Sequence, residues 1–219
     1  MSGSDRYDRF GWDYEAFNPP DARAEAWYLR HAREVGGPIL EVASGTGRLA
    51  LLLAEHGFEV TGVDLSPRML ARAEELRAAM PPEVRARVTF TEGDMGAIDL
   101  GRRFALALVA DNSLREPGTR AGVLACLRTL RRHLEPGGRL LVTERRFDPA
   151  RFATGAAGSA WSAPRAEPGT GRTVRRRVRV VVDEDAGRLE GEMIYEVRDS
   201  DGSIHRDVLP YESPVFTPA

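Results

Sequence analysis

The sequence predicts an α/β protein: a mostly parallel β-sheet layered between helices, followed by a C-terminal antiparallel β-hairpin or meander. Three observations predict it. From Gly37 to Glu144, short apolar runs alternate with longer stretches of helical period, as in strands joined by crossover helices. Glycine and proline fall where those stretches end. Beyond Glu144 the alternation stops, and charged and apolar side chains follow one another with a period of two, the pattern of strands with one face buried.

In order, PILEV reads as the first strand and is followed by a helix running to Gly57. FEVTGVD is the second strand, followed by a helix to Met80. RVTFTEGD, FALALVA, a helix to Leu134 and RLLVTE complete the series. Gly57 sits where a left-handed residue ends a helix. Ser66-Pro67 supplies a capping hydroxyl and then a residue that needs no donor in the first turn. Met69, Ala73, Leu76 and Met80 give that helix one apolar face. The single cysteine, Cys126, lies in the apolar stripe Val123, Leu127, Leu130, Leu134 and reads as a small buried hydrophobe.

Residues 1–36 read as an N-terminal helical cap carrying Tyr7, Phe10, Trp12, Tyr14, Phe17, Trp27 and Tyr28. Residues 37–148 form the core, and 149–219 a loop and an antiparallel lid or dimerisation element. In that last part, ATGAAGSAWSAPRAEPGTG has the composition of a loop or linker. RTVRRRVRVVV then pairs with RLEGEMIYEV about a turn near Asp185 and Ala186. Arg179 falls opposite Glu192 and Arg175 opposite Glu196, while Val174, Val178 and Val182 meet Val197, Met193 and Leu189. A slip of one residue would move charges onto the apolar face, so the pattern selects the register. SIHRDVL is a third strand.

Composition bounds the function. With 219 residues, 42% hydrophobic and 29% charged, the chain suits one α/β domain with a modest addition. The net charge of −2 lacks the basic excess of proteins that bind nucleic acid or anionic membranes. All basic residues other than histidine are arginine, which reads as base composition. No segment has the apolar length of a signal or a membrane span, so a cytoplasmic location is expected.

The chemistry concentrates in ILEVASGTGRLALLLA, a strand that runs through a glycine turn into a helix. Gly45 and Gly47 permit backbone conformations closed to other residues and let a ligand approach without meeting a Cβ. The helix start presents free amides suited to a carboxylate. By itself this turn also satisfies a relaxed dinucleotide fingerprint. Its neighbours narrow the choice. Glu41 ends the first strand, where an ammonium group would be welcome and a pyrophosphate would not. Asp64 ends the second, placed to accept from both hydroxyls of a ribose, and Gly93-Asp94 ends the third, placed to accept from an adenine amine. All three acids lie at the carboxyl edge of the sheet, where open α/β folds bind ligands.

Glycine turn, strand-end Asp64, Gly93-Asp94, ADNSL and the PGG before the fifth strand together resemble the class I S-adenosylmethionine-dependent methyltransferase superfamily, over about residues 37 to 148. The resemblance implies a Rossmann-like αβα core of the small-molecule type with an antiparallel lid. It implies S-adenosyl-L-methionine as cofactor and methyl transfer to an oxygen or nitrogen of a small-molecule acceptor. It would place Glu41, Ala43, Ser44, Gly45 and Gly47 around the methionine part of the cofactor, Asp64 on the ribose, and Leu65 and Met69 beside the adenine. Asp94 and the Met95 backbone would read the adenine's polar edge, and the Ala110-Asp111 backbone would accept from the cofactor amine.

Ala43 departs from the family's first glycine, which is tolerable if its backbone is extended. The chain also lacks the strands that normally follow the fifth, so the RLLVTE edge is expected to be covered, a second copy of the chain being one way. No metal ligands and no catalytic base are assigned. Tyr14, Asp111 and Asn112 are the nearest candidates for a base, with Tyr14 and Asn112 taken as acceptor contacts. His31, His56, His133 and His205 read as surface or packing residues. Nucleic-acid methylation is disfavoured because ADNSL lacks the Asn/Asp-Pro-Pro-aromatic tetrad, and NPPD at Asn18 precedes the glycine motif without a strand before it. A cofactor-binding homologue without transfer and a nicotinamide-dependent oxidoreductase are the alternatives.

Overall fold

The computed structural model describes residues 20–144, 157–158, 160–167, 170–183 and 188–214. The chain divides into two compact units, Met1–Arg145 and Arg146–Ala219.

The first unit opens with helix α1 (Ala22–Val35). Its N-cap is Asp21, whose carboxylate accepts from the amides of Arg23 and Ala24, so the acid of the NPPD sequence serves as a helix cap. Tyr14 and the other aromatic residues before Asn18 lie outside the described residues. Strand β1 (Ile39–Val42) leads through the glycine turn into α2 (Arg48–Glu55), and β2 (Val60–Asp64) leads into α3 (Pro67–Ala78). A short helix that the periodicity did not predict, α4 (Pro82–Arg85), precedes β3 (Val88–Glu92). Strand β4 (Phe104–Val109), a 3₁₀ turn (Ser113–Arg115), helix α5 (Arg120–His133) and β5 (Leu134–Val142) complete the unit.

These five strands form one parallel sheet in the order β3-β2-β1-β4-β5, the Rossmann-like arrangement expected. All four residues of β1 are buried, which is why ILEV is continuously apolar but for Glu41: a central parallel strand is covered on both faces. Ser66 caps α3 by accepting from the Met69 amide at 3.2 Å, with Pro67 in the first turn. Gly57 follows α2 at φ +92°. Cys126 is fully buried, and burial pushes its thiol up to about 11. His133 is a packing residue: its Nε2 accepts from the Leu100 amide at 3.0 Å, so the proton sits on Nδ1, 2.8 Å from the Thr129 carbonyl.

Strand β5 starts earlier than RLLVTE and takes in the PGG sequence. Its pairing with β4 shifts between Phe104 and Leu106, which absorbs Gly137 and Gly138. Among the described residues, β5 pairs only with β4 and forms the end of the sheet.

The second unit is an antiparallel sheet of β6 (Ala157–Gly158), β8 (Thr173–Asp183), β9 (Arg188–Arg198) and β10 (Ile204–Pro214) in the order β10-β9-β8-β6, with β7 (Arg165–Ala166) also on β8. Its long strands are β8, β9 and β10. Arg175 stands opposite Glu196, Arg179 opposite Glu192, and Val174, Val178 and Val182 opposite Val197, Met193 and Leu189, the register that charge alternation requires. Arg175 Nε donates to Glu196 at 2.7 Å and Arg179 Nη1 to Glu192 at 3.2 Å. The segment expected as a plain loop differs: it contributes the two-residue strands β6 (Ala157–Gly158) and β7 (Arg165–Ala166). Small residues and a short run of extended backbone suffice to pair with the edge of β8.

Candidate functional site

The order of the first sheet reverses direction between β1 and β4, which opens a crevice at their carboxyl ends. A cleft lies there, lined by Tyr28, Glu41, Ala43, Ser44, Thr46, Arg48, Ala110 and Asp111 among others. Five of the residues singled out from the sequence, Glu41, Ala43, Ser44, Ala110 and Asp111, are therefore brought together.

Glu41 is 2% exposed, and its Oε2 has no hydrogen-bond partner. Burial pushes its carboxyl up to about 8, Asp111 and Asp64 push the same way, and the Ala50 amide and Arg48 offset part of the rise. Ser44 Oγ is likewise buried without a partner. A buried oxygen lacking a donor is costly. Glu41 and Ser44 both line the cleft, and the unserved Glu41 oxygen there suits a donor from a ligand.

The two glycines of the turn do different work. Gly45 is at φ +56°, and a Cβ there would meet nothing within 4 Å, so that side of the turn is open. Gly47 is at φ +75°, but a Cβ there would lie 2.3 Å from Phe90 Cζ. The expectation that Gly47 clears space for a ligand is corrected: it clears space for a core ring on β3, which lets α2 start close to the sheet. Ala43 is corrected too. Its φ is +53°, left-handed rather than extended, a conformation that costs a residue with a Cβ about 1 kcal/mol.

Asp64 ties this turn to the next strand. Its Oδ2 accepts from the Gly45 amide at 2.7 Å and its Oδ1 from the Ser66 amide at 2.9 Å. Gly93 N donates to the Asp64 carbonyl at 3.0 Å and makes room for Ile98, whose Cδ1 would be 2.4 Å from a Cβ there. Asp94 is exposed, and its Oδ1 accepts from the Gly96 amide at 2.7 Å. Asp94 and Met95 follow β3, and Leu65 follows β2 with 46% exposure. These three stand at the same sheet edge but not in the lining of the cleft. Met69, at 2% exposure, belongs to the core. The face of α3 that carries it, with Ala73, packs inward.

After β4, Asp111 and Asn112 are both left-handed, at φ +54° and +68°. Arg48 pairs with Asp111 at 3.3 Å. The amide of Asp111 donates to Thr143 Oγ1 at 3.0 Å and that of Asn112 to the Thr143 carbonyl at 3.0 Å. Tyr28 is hydrogen-bonded to the same Thr143 hydroxyl, and burial pushes its phenol up to about 12. Arg48, Thr143 and Tyr28 were not assigned site roles from sequence. Tyr28 and Thr143 meet across 115 residues, which no local pattern shows. Arg48 had a local signal, a cation directly after the second turn glycine.

A family model described as "Methyltransferase domain" matches residues 39–138. The dTDP-3-amino-3,4,6-trideoxy-alpha-D-glucopyranose N,N-dimethyltransferase of Streptomyces venezuelae is 32% identical over 192 residues, 85% of this chain and 73% of that protein. The chain belongs to the class I S-adenosylmethionine-dependent methyltransferases. The chain is also similar to the methyltransferase YqeM of Bacillus subtilis, 36% identical over 106 residues, 48% of this chain but only 41% of YqeM. Among solved structures, the sugar N-methyltransferase KedS8 from Streptoalloteichus superposes with a TM-score of 0.75 at 27% identity, covering 95% of this chain and 78% of that one. The dinucleotide alternative for the glycine turn is thereby set aside. The cofactor is S-adenosyl-L-methionine, and the residues present fit it: the unserved Glu41 oxygen suits the ammonium of an aminoacyl group, and the open side of Gly45 leaves it room.

Proposed function

We propose that this methyltransferase transfers the methyl group of S-adenosyl-L-methionine to the nitrogen of an amine-bearing small molecule, an amino sugar. The observation that carries the cofactor half of this reading is the buried Glu41 carboxyl, whose Oε2 lacks a partner, in the lining of the β1–β4 crevice. The acceptor half is supported by relatives and structural neighbours named for sugar N-methylation that match most of the chain.

In this reading Glu41, once ionised, holds the cofactor's ammonium, and the Ala110-Asp111 backbone accepts from the same group. Ala43, Ser44, Gly45 and Gly47 form the backbone bed of the methionine part, although Gly47 acts through Phe90. Asp64 holds the ribose, Leu65 covers one face of the adenine, and Asp94 with the Met95 amide reads its edge. Tyr14 and Asn112 contact the acceptor. The bound cofactor supplies an electrophilic methyl on a sulfonium. The chain's part is placement and exclusion of water. A neutral amine attacks without prior loss of a proton, which spares a nitrogen acceptor the base that a hydroxyl needs. Among the described residues, no helix is long and apolar enough to cross a membrane, and the cytoplasm is the proposed site of action. A second copy of the chain covers the outer edge of β5, which among the described residues has no further strand beside it.

The test is S-adenosylhomocysteine release against a panel of amino sugars, sugars lacking the amine, and phenols, with mass spectrometry of the products. Methylation of amino sugars alone is expected. Methylation of hydroxyl acceptors alone replaces the nitrogen reading, and cofactor binding without any transfer selects the silent homologue. Asp64→Ala is expected to weaken cofactor binding by about 1.5–3 kcal/mol. Light scattering that finds a monomer at micromolar concentration removes the proposed second copy.

A further inference from the structure

The second unit carries a group of charges that the cofactor cleft does not use. Three guanidinium groups surround the indole of Trp161: Arg175 at 4.6 Å from the ring centroid, Arg177 at 4.8 Å and Arg206 at 5.8 Å. One carboxylate serves them. Glu196, 7% exposed, gives Oε1 to Arg175 at 2.7 Å and Oε2 to Arg206 at 3.0 and 2.8 Å. Both its oxygens are engaged, and neither reaches Arg177.

Arg177 is the exception among the arginines on its face of β8. Arg175 and Arg179 each face a glutamate across β9, whereas Arg177 faces Ile194, which in turn faces Val208 on β10. Its rung therefore holds no acid. Among the described residues Arg177 has no carboxylate partner, and its Nε is buried without an acceptor. Stacking on Trp161 offsets part of the cost of that placement. It supplies no acceptor for the Nε–H, and it does not relieve repulsion among three cations held around one ring. Among the described residues, three positive groups against one negative leave an excess of two at a partly buried indole. A guanidinium stacked by its face presents its donors edge-on, the geometry that grips a tetrahedral oxyanion through two parallel bonds.

We propose that Arg177, flanked by Arg175 and Arg206 around Trp161, is the centre of an anion site that takes a phosphate or diphosphate group. The site lies wholly within the antiparallel unit and stands independently of the methyl-transfer reading. Its ligand is a free inorganic phosphate or a phosphate ester.

Calorimetric titration of the full chain with inorganic pyrophosphate tests it, with phosphate and a nucleoside diphosphate as parallel arms. Pyrophosphate is expected to bind at one site, more weakly as salt is raised. Arg177→Gln should reduce the affinity about tenfold or more, the loss of a charge-assisted bond. Arg179→Gln, on the same strand but already paired with Glu192, should leave it within about twofold. Tighter binding of the nucleoside diphosphate assigns the site to a phosphate ester, and equal or weaker binding assigns it to the free anion. Absence of pyrophosphate binding, or equal binding by Arg177→Gln and the parent, overturns the proposal. Should Arg177→Gln not fold, the Nε–H resonance of Arg177 in the parent protein, assigned with Arg177→Lys, is the readout. It moves on addition of pyrophosphate if the site exists, and an unmoved resonance overturns it. Thermal-shift measurement of cofactor binding, run on the same samples, reports separately on the methyltransferase cleft.

Discussion

Replacing Glu41 by glutamine removes one titrating proton from the cleft and leaves the shape nearly unchanged. The carboxyl is held at about 8, against an ordinary value of 4.5, by burial first and then by Asp111 and Asp64. Between those values the folded, cofactor-free chain keeps a proton that the unfolded chain has lost. Stability contributed at this position is therefore intact below the unfolded value and declines as pH rises through the window. At about 1.4 kcal/mol per pH unit, the loss by about pH 8 is on the order of 5 kcal/mol. Glu41→Gln, which cannot ionise, should abolish that decline. The cofactor's ammonium favours the ionised carboxylate, so binding to the parent should release a proton and tighten with pH across the window, by at most about tenfold per unit. The variant should bind with little pH dependence. The assay is urea denaturation of parent and variant at about pH 5 and about pH 8, with calorimetry of cofactor binding in buffers of different ionisation enthalpy. Parallel stability profiles for the two proteins, together with no proton release on binding, would refute the reasoning.

Ala43 is left-handed at φ +53°, so Ala43→Gly should stabilise the protein by about 0.5–1 kcal/mol, relief of strain exceeding the added freedom of the unfolded chain. A fall in denaturation midpoint would contradict this. Gly47→Ala brings a Cβ within 2.3 Å of Phe90 Cζ at a positive φ and should cost about 3 kcal/mol. Adding Phe90→Leu should recover part of that loss, and strictly additive effects in the double-mutant cycle would show that the ring is not the obstacle. Cys126, buried with its thiol pushed up to about 11, should resist thiol reagents in the native state and react on unfolding. Rapid labelling of the folded protein would argue against its place in the core.

Much of the architecture was legible because it is written in short-range periodicity. Strand and helix alternated visibly from Pro38 to Val142, and Ser66-Pro67 marked a helix start by chemistry that needs no distant partner. The pairing of β8 with β9 followed from charges alone, since every other residue must share a face. The strand-end acids were visible as types and positions. Their surroundings were not. The short helix at Pro82 and the early start of β5 escaped because one turn of helix, or a proline and two glycines inside a strand, leaves no periodic trace.

What the amino-acid order determined by itself is therefore local and repeating: which segments are strands, which face of each is apolar, and where a glycine turn joins a strand to a helix. Tertiary structure decided which atoms lack partners. Glu41 became a buried carboxyl with an unserved oxygen because β2 and β4 close on both sides of β1. Gly47 became a packing residue because Phe90 lies beneath it. Arg177 was left without an acid because Ile194 occupies its rung. Hydrogen-bond satisfaction and dielectric depend on every atom within a few ångströms, and those atoms come from distant parts of the chain.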